Sequence, residues 1–392
     1  MRSKINSQKA EVSEKYIKLI KSLQEDKVKI NEEKISRFGS IDIDDHGYID
    51  FPDFRFTPEC CEDGLVHGCA LIGRNFRRFL NEMPKYINKN SALAGCWIGN
   101  LQRYIPFGVA KEDRPSELDE IIEKYRIRQS GFAGMNHLCP DLEIGMTLGW
   151  KGLLEKVRHY RENNDPVDPD FYDGEEELLL GILEWVKAHA DYAEELAEKE
   201  SDPFRRQNYL EIAQANRNLT EAPPRTFREA CQFLAHFQSV DRMYYVGGAL
   251  GRMDMLLQPY YEKDTENGAI TEEEAVWMIA SLLFNDTHYA QIGGLSPAGD
   301  RETLSRISFL ILEATHLLHI HSNLAVRVHQ PVGDQEEAAE ELLHRAVEYT
   351  IKDGNGVCYS LEKGTSEGYA KNGYPVELGR MRVKCGCNWT AI

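Results

Sequence analysis

The sequence predicts a helix-rich α/β protein, on three observations. Long stretches repeat apolar residues at helical spacing, several of them behind recognisable helix-start signals. Short β-branched segments lie between those stretches in the C-terminal half, and helix alternating with short strand is the pattern of α/β layering. Finally, 392 residues at 42% hydrophobic and 28% charged suit one large core or two smaller ones and exclude a disordered chain.

The helical stretches run roughly over 175 to 199, 204 to 218, 302 to 319 and 335 to 351, with charged residues between the periodic apolar ones. Two more begin at capping boxes, Thr226-Phe227-Arg228-Glu229 and Thr271-Glu272-Glu273-Glu274. In such a box the hydroxyl and the glutamate satisfy each other's backbone donors. Behind the second, Ala275, Met278, Ile279, Leu282 and Leu283 mark one buried face, and Phe227, Ala230, Cys231 and Leu234 do so behind the first. Together these helices are expected to form a shell. Asn323-Leu324-Ala325-Val326-Arg327-Val328-His329 and Gly356-Val357-Cys358-Tyr359-Ser360-Leu361 read as strands. The acidic, proline-containing 163–170 stretch is a loop inside one domain. There is no internal repeat and no low-complexity tract.

A net charge of -18 with no long Lys/Arg cluster speaks against nucleic acid and anionic lipid surfaces. The N-terminal MRSKINSQKAEVSEKY carries no apolar stretch, and no window reaches the length of a membrane span, so a soluble cytoplasmic protein is expected. Nine scattered cysteines, an odd number, argue for free thiols rather than a disulfide framework. Cys60 and Cys61 are adjacent and Cys385-Gly386-Cys387 has no partner pair, so no zinc spacing is read and no metal is expected. His316, His319, His321 and His329 read as helix-end or packing histidines, and Arg327 as the partner of a buried acid. Gly247-Gly248, Gly293-Gly294 and Gly354-Asn355-Gly356 fit no phosphate-binding pattern and read as turns with positive φ.

The C-terminal Arg382-Val383-Lys384-Cys385-Gly386-Cys387-Asn388-Trp389 has no helical pattern, and its glycine suits a tight turn that presents a thiol. By itself such a cysteine would read as a small buried hydrophobe in a connection. An ordered series of segments gives it another meaning. Gly134-Met135-Asn136-His137-Leu138-Cys139-Pro140-Asp141 is followed by Gly149-Trp150-Lys151-Gly152-Leu153, Asp202-Pro203-Phe204-Arg205-Arg206 and Pro223-Pro224-Arg225-Thr226-Phe227-Arg228-Glu229-Ala230-Cys231-Gln232. Then come Gly251-Arg252-Met253-Asp254, Pro259-Tyr260-Tyr261 with Asp264, Gly293-Gly294, Gly299-Asp300 and Leu304-Ser305. In kind and order this series resembles the glycyl radical enzymes of the pyruvate formate-lyase-like superfamily, although the asparagine usual before that leucine is absent.

The resemblance implies a helix-rich α/β barrel of the glycyl radical enzyme type, of which residues 1–392 supply about the first half-barrel, as the N-terminal portion of a pyruvate formate-lyase-like domain. It implies Cys387 as the thiyl-forming cysteine, with Cys385 as the alternative, and Asn388 and Trp389 as candidate substrate-pocket residues; a core tryptophan is an equal reading of Trp389. It further implies a glycyl radical installed by a radical S-adenosylmethionine iron-sulfur activating enzyme, a small-molecule substrate and a homo-oligomer when complete. Radical chemistry needs a hydrogen-atom relay, and a thiol can provide one in a site closed to water and oxygen.

Two departures shape the expectation. Pyruvate formate-lyase itself uses two adjacent cysteines, and Gly386 stands at the first position, so formate acetyltransferase activity is not expected. Many eliminating members carry glutamate two residues after the cysteine, where this chain has Trp389. The radical-bearing arginine-valine-x-glycine-aromatic segment is not found, so a truncated product or one half of a split enzyme is expected, prone to association when expressed alone. The competing readings are a catalytically incomplete binding partner and, last, ordinary cysteine nucleophile chemistry.

Overall fold

The computed structural model describes residues 4–40, 47, 49–127, 138–244, 248–286, 289–354, 357–386 and 390–391. An N-terminal helix α1 (Glu14–Phe38) and a short α2 (Cys69–Glu82) precede a small α3 (Leu118–Tyr125). Three long helices follow: α4 (Leu142–Asn163), α5 (Asp170–Lys199) and α6 (Pro203–Glu221). The loop expected near 163–170 lies between α4 and α5.

After α7 (Phe227–Tyr244) the chain alternates helix and strand. The order is β1 (Gly251–Arg252), α8 (Met253–Glu266), α9 (Glu272–Asn285), β2 (Ala290–Ile292), α10 (Arg306–Leu318), β3 (Leu324–Val328), α11 (Glu336–Asp353) and β4 (Cys358–Leu361). Two short helices, α12 (Thr365–Lys371) and α13 (Val376–Met381), lead into β5 (Val383–Lys384) and β6 (Thr390–Ala391).

The helix starts follow from local chemistry. Thr271 Oγ1 accepts the Glu274 amide at 3.3 Å while the Glu274 carboxylate accepts the Thr271 amide at 2.8 Å, the full capping box. At α7 the box is displaced: Thr226 Oγ1 accepts the Glu229 amide at 3.2 Å, but the Glu229 carboxylate accepts the amide of Arg225 rather than that of Thr226. At α6, Asp202 caps the Arg205 amide at 2.8 Å and Pro203 occupies the first turn, where its missing N–H costs nothing. The stretch expected to be helical from 302 starts later, because Glu302 pairs with Leu295 in a β-bridge and Ser305 serves as N-cap.

The shell expectation needs correction. From Ala275 to Asn285 every residue of α9 is buried, as are all but two of α10, so the apolar spacing marks central helices enclosed all round rather than a one-faced cover. α2 and α5 cross with glycines at the contact. A Cβ on Gly174 would stand 2.5 Å from the Cys69 carbonyl, and one on Gly181 2.7 Å from Arg77 Cα. Backbone cannot yield as a side-chain tip can, so Gly174→Ala is expected to cost about 1–3 kcal/mol, read as a lowered urea midpoint with unchanged slope.

β1 to β4 form one parallel sheet in the order β1-β2-β3-β4, in register Gly251↔Ala290, Gln291↔Ala325 and Arg327↔Ser360. Partners in register share a face, and successive residues alternate. One face therefore carries Ile292, Leu324 and Val326, which join the main core with Ile307, Leu310, Leu342 and Ala346. The other carries Arg252, Gln291, Arg327 and Ser360. Parallel sheets are usually apolar on both faces, so a polar face needs its own cover. Among the described residues, β1 and β4 are the edges, and on β4 Leu361 is 61% exposed.

Candidate active site

That cover is the C-terminal hairpin. β5 pairs antiparallel with β6, Val383 opposite Ala391 and Lys384 opposite Thr390, so residues 385–389 join the two arms. Three contacts fix its direction over the polar face. The Arg382 carbonyl accepts from Arg327 of β3 at 2.8 Å, the Lys384 amide donates to the Gln291 side chain of β2 at 3.2 Å, and Cys385 packs with Ala249 and Tyr289, which lie just ahead of β1 and β2. The first arm thus runs against the strands, from Arg382 beside β3 to Cys385 beside the residues that lead into β1 and β2. Cys387, Asn388 and Trp389, the three candidates singled out in the sequence, lie outside the described residues, as does His137.

A buried ion network holds the root of the hairpin. Glu362 pairs with both Arg327 and Arg382, the latter at 3.0 Å, and also accepts from Ser366. Arg382 donates further to the Gly379 carbonyl at 2.7 Å and the Leu361 carbonyl at 2.7 Å. The expectation that Arg327 pairs with a buried acid is thereby met, the acid being Glu362. Burial pulls the Arg382 guanidinium below its ordinary range.

Two described thiols line this region: Cys385, the alternative carrier, and Cys139, which the sequence showed only within a motif. Cys385 is 3% exposed, and Cys139 packs beside it. Desolvation, with Cys385 and Asp141 nearby, pushes the Cys139 thiol up to about 12, so it stays protonated at neutral pH. Cys139 Sγ also explains Gly251, where a Cβ would come within 2.8 Å of the sulfur and φ is +59°. A cavity of about 310 Å³ opens beside them, lined by Cys139, Asp141, Leu250, Arg252, Met381 and Val383 among others. Such a volume is at the lower end for small-molecule sites.

Behind the N-terminal end of the sheet lies a second buried polar group. Arg242 pairs with Asp286 at 3.3 Å and its guanidinium sits 4.5 Å from the Trp97 ring centre. Asp241 accepts the Gly248 amide at 2.8 Å. Gly248 is therefore glycine because a Cβ would overlap the Asp241 carboxylate, not because of positive φ; Gly293, Gly294 and Gly354 do have the expected φ, of +70°, +128° and +66°.

Desolvation raises the Asp241 carboxyl from 3.8 to about 7. A carboxyl raised on folding binds its proton more tightly in the native state, so its stabilisation is full at low pH and is lost as pH climbs towards about 7. Asp241→Asn keeps an acceptor for Gly248 but cannot titrate. Urea midpoints are expected to show that the wild type loses stability between pH 5 and 7.5 relative to this variant, with a slope approaching about 1.4 kcal/mol per pH unit.

Two of the histidines share one carboxylate and a third meets another. His316 Nδ1 lies 2.8 Å and His319 Nδ1 3.7 Å from Asp353, whereas His329 Nε2 meets Glu302 at 2.7 Å on another element. No described helix is long and apolar enough to cross a membrane.

With this geometry established, comparison with known proteins gives it a family. The family model described as Pyruvate formate lyase-like matches residues 114–392. Isethionate sulfite-lyase of Desulfovibrio desulfuricans is 33% identical over 269 residues, 60% of this chain and 31% of that protein. The 4-hydroxyphenylacetate decarboxylase glycyl radical subunit of Clostridioides difficile is 26% identical over 251 residues, 55% of this chain and 26% of that protein. Among solved structures, one of 1,2-propanediol dehydration in Roseburia inulinivorans superposes with TM-score 0.73 at 20% identity, over 99% of this chain and 55% of that one. The B12-independent glycerol dehydratase of Clostridium butyricum gives 0.69 at 17%, over 98% and 55%. The alignments thus span about a third of the curated relatives and about half of the solved chains. A polar-faced parallel sheet covered by a cysteine-bearing hairpin, the ordered motifs and the matched 114–392 span agree: this chain belongs to the pyruvate formate lyase-like family and has the glycyl radical enzyme fold over about one half of that barrel.

Proposed function

We propose that the chain is the cysteine-bearing part of a glycyl radical lyase that cleaves a C–C or C–heteroatom bond of a small organic substrate, with Cys387 as the hydrogen-atom carrier. The observation that carries this reading is the hairpin: its arms lie against the polar sheet face and the residues joining them include Cys387. The curated relatives named above are a sulfite-lyase and a decarboxylase glycyl radical subunit, which supports a lyase rather than any one substrate.

A glycyl radical supplies a hydrogen-atom acceptor that ordinary side chains at neutral pH do not offer. The chain's own part is to hold the Cys387 sulfur in line and to exclude water. The Glu362 network anchors one arm, and Gln291, Ala249 and Tyr289 set its height along the sheet. The open edges at β1 and β4 fit a second half-barrel docking there with the radical glycine, from a continuation or a complementing chain, since the arginine-valine-x-glycine-aromatic segment does not occur in residues 1–392. Installation of the radical falls to a radical S-adenosylmethionine activating enzyme. Asn388 and Trp389 are assigned to the substrate pocket by amide hydrogen bonding and ring packing.

The test is anaerobic activation of the chain together with the segment that carries the glycine, followed by electron paramagnetic resonance and substrate consumption. A glycine-centred signal with turnover of a small organic substrate is the expected result. A chain that assembles with that segment, takes up the radical and has no exchangeable hydrogen relay to Cys387 would be a binding partner instead.

A further inference from the structure

Ahead of α2 the chain folds into a tight turn that gathers a cysteine, an aspartate and a histidine. The Cys61 amide donates to the Leu65 carbonyl at 2.8 Å and the Gly64 amide to the Cys61 carbonyl at 2.9 Å, with Gly64 at φ +79°. Asp63 Oδ1 accepts the Leu65 amide at 3.0 Å, and the Val66–Phe107 bridge pins the far end. The turn is therefore built by its own backbone together with one oxygen of the Asp63 carboxylate.

We propose that this turn, Cys61 to His67, is a binding site for a divalent cation that prefers thiolate and imidazole, zinc(II) foremost. One ligand atom each from Cys61, Asp63 and His67 lies within 4.8 Å of the others. Cys61 Sγ and His67 Nδ1 are 3.7 Å apart. Bond lengths of about 2.3 Å to sulfur and about 2.0 Å to nitrogen give a tetrahedral edge of about 3.6 Å, so an ion fits between them with little movement. On the other side of the ring, Nε2 meets Asp63 Oδ2 at 3.2 Å. A carboxylate on the far nitrogen fixes the tautomer that leaves Nδ1 free to ligate, the usual support of a metal-bound histidine. Cys61 is half-buried against the core, whereas Asp63 and the neighbouring Cys60 are exposed, so the remaining positions face solvent and donors from it. Neither two cysteine pairs nor a Cys/His set at zinc spacing is legible in the sequence; the set here is Cys-x-Asp-x3-His, brought together by the turn.

The inference is independent of the radical chemistry and is tested without it. Cobalt(II) is titrated into the whole chain under reducing conditions, followed by competition with zinc(II). A thiolate-to-cobalt charge-transfer band of one equivalent, displaced by zinc, is expected. Cys61→Ser should abolish the band, His67→Ala should weaken binding at least tenfold, and Asp63→Asn should weaken it about 10- to 100-fold. Cys387→Ser and Cys358→Ser should leave band and affinity unchanged. Absence of the band in the wild type, its persistence in Cys61→Ser, or its loss in Cys387→Ser would overturn the assignment; circular dichroism on each variant separates ligand loss from unfolding.

Discussion

Cys387→Ala, activated anaerobically with the radical-bearing segment, is expected to keep the glycine-centred paramagnetic signal and to lose turnover by at least about four orders of magnitude, the scale on which removing a reacting group acts. The expected loss is large because the relay needs a weak bond to hydrogen at a fixed position. The described thiols Cys385 and Cys139 pack together, the first buried where the first arm ends and the second half-buried beside it. A second readout separates a chemical role from a structural one. In deuterium oxide the thiol carries deuterium, so a working relay exchanges the hydrogen on the radical glycine and collapses its hyperfine splitting. The variant should retain the splitting. If Cys387→Ala turns over within tenfold of the wild type while Cys385→Ala is inactive, the carrier is Cys385.

The second large effect concerns stability. Glu362→Ala leaves the guanidiniums of Arg327 and Arg382 facing each other in a site where both side chains are 1% exposed. Removing one partner of a buried pair is costly because the remaining charge stays desolvated, so a loss of about 3–5 kcal/mol in urea unfolding is expected. Adding Arg382→Met to Glu362→Ala removes half of that stranded charge, and the double variant should be more stable than Glu362→Ala alone. A Glu362→Ala chain within 1 kcal/mol of the wild type would show that the network does not hold the hairpin.

What the sequence revealed depended on how local each signal is. The Thr271 box and the strand at 324–328 rest on neighbours a few residues apart, and both appear where they were read. The two-residue strands β1 and β5 have no period to display, and their existence depends on pairing across distant segments. Enclosure of α9 and α10 on all sides was misjudged for the same reason: apolar spacing shows that one face is buried, while the second face is covered by elements far away in the chain. At the site, Cys387, Asn388 and Trp389 were chosen through the resemblance and lie outside the described residues. Arg327 was read correctly as paired, but Glu362, 35 residues away, could not be named from spacing. Cys139 was visible only as part of a motif, and its place beside Cys385 is a product of topology.

The hairpin's anchors also imply an order of events in folding. Arg327 reaches Arg382 across 55 residues and Gln291 reaches Lys384 across 93, so each contact closes a long loop whose entropy is recovered only once the sheet exists. The arm that leads to Cys387 therefore settles late, onto strands already paired. In native-state hydrogen exchange the Lys384 amide, which donates to the Gln291 side chain, is expected to open well below the global unfolding free energy, while amides of α9 open only with it. The chain thus pairs its strands before it seats the arm that, in the proposed function, carries the reactive sulfur.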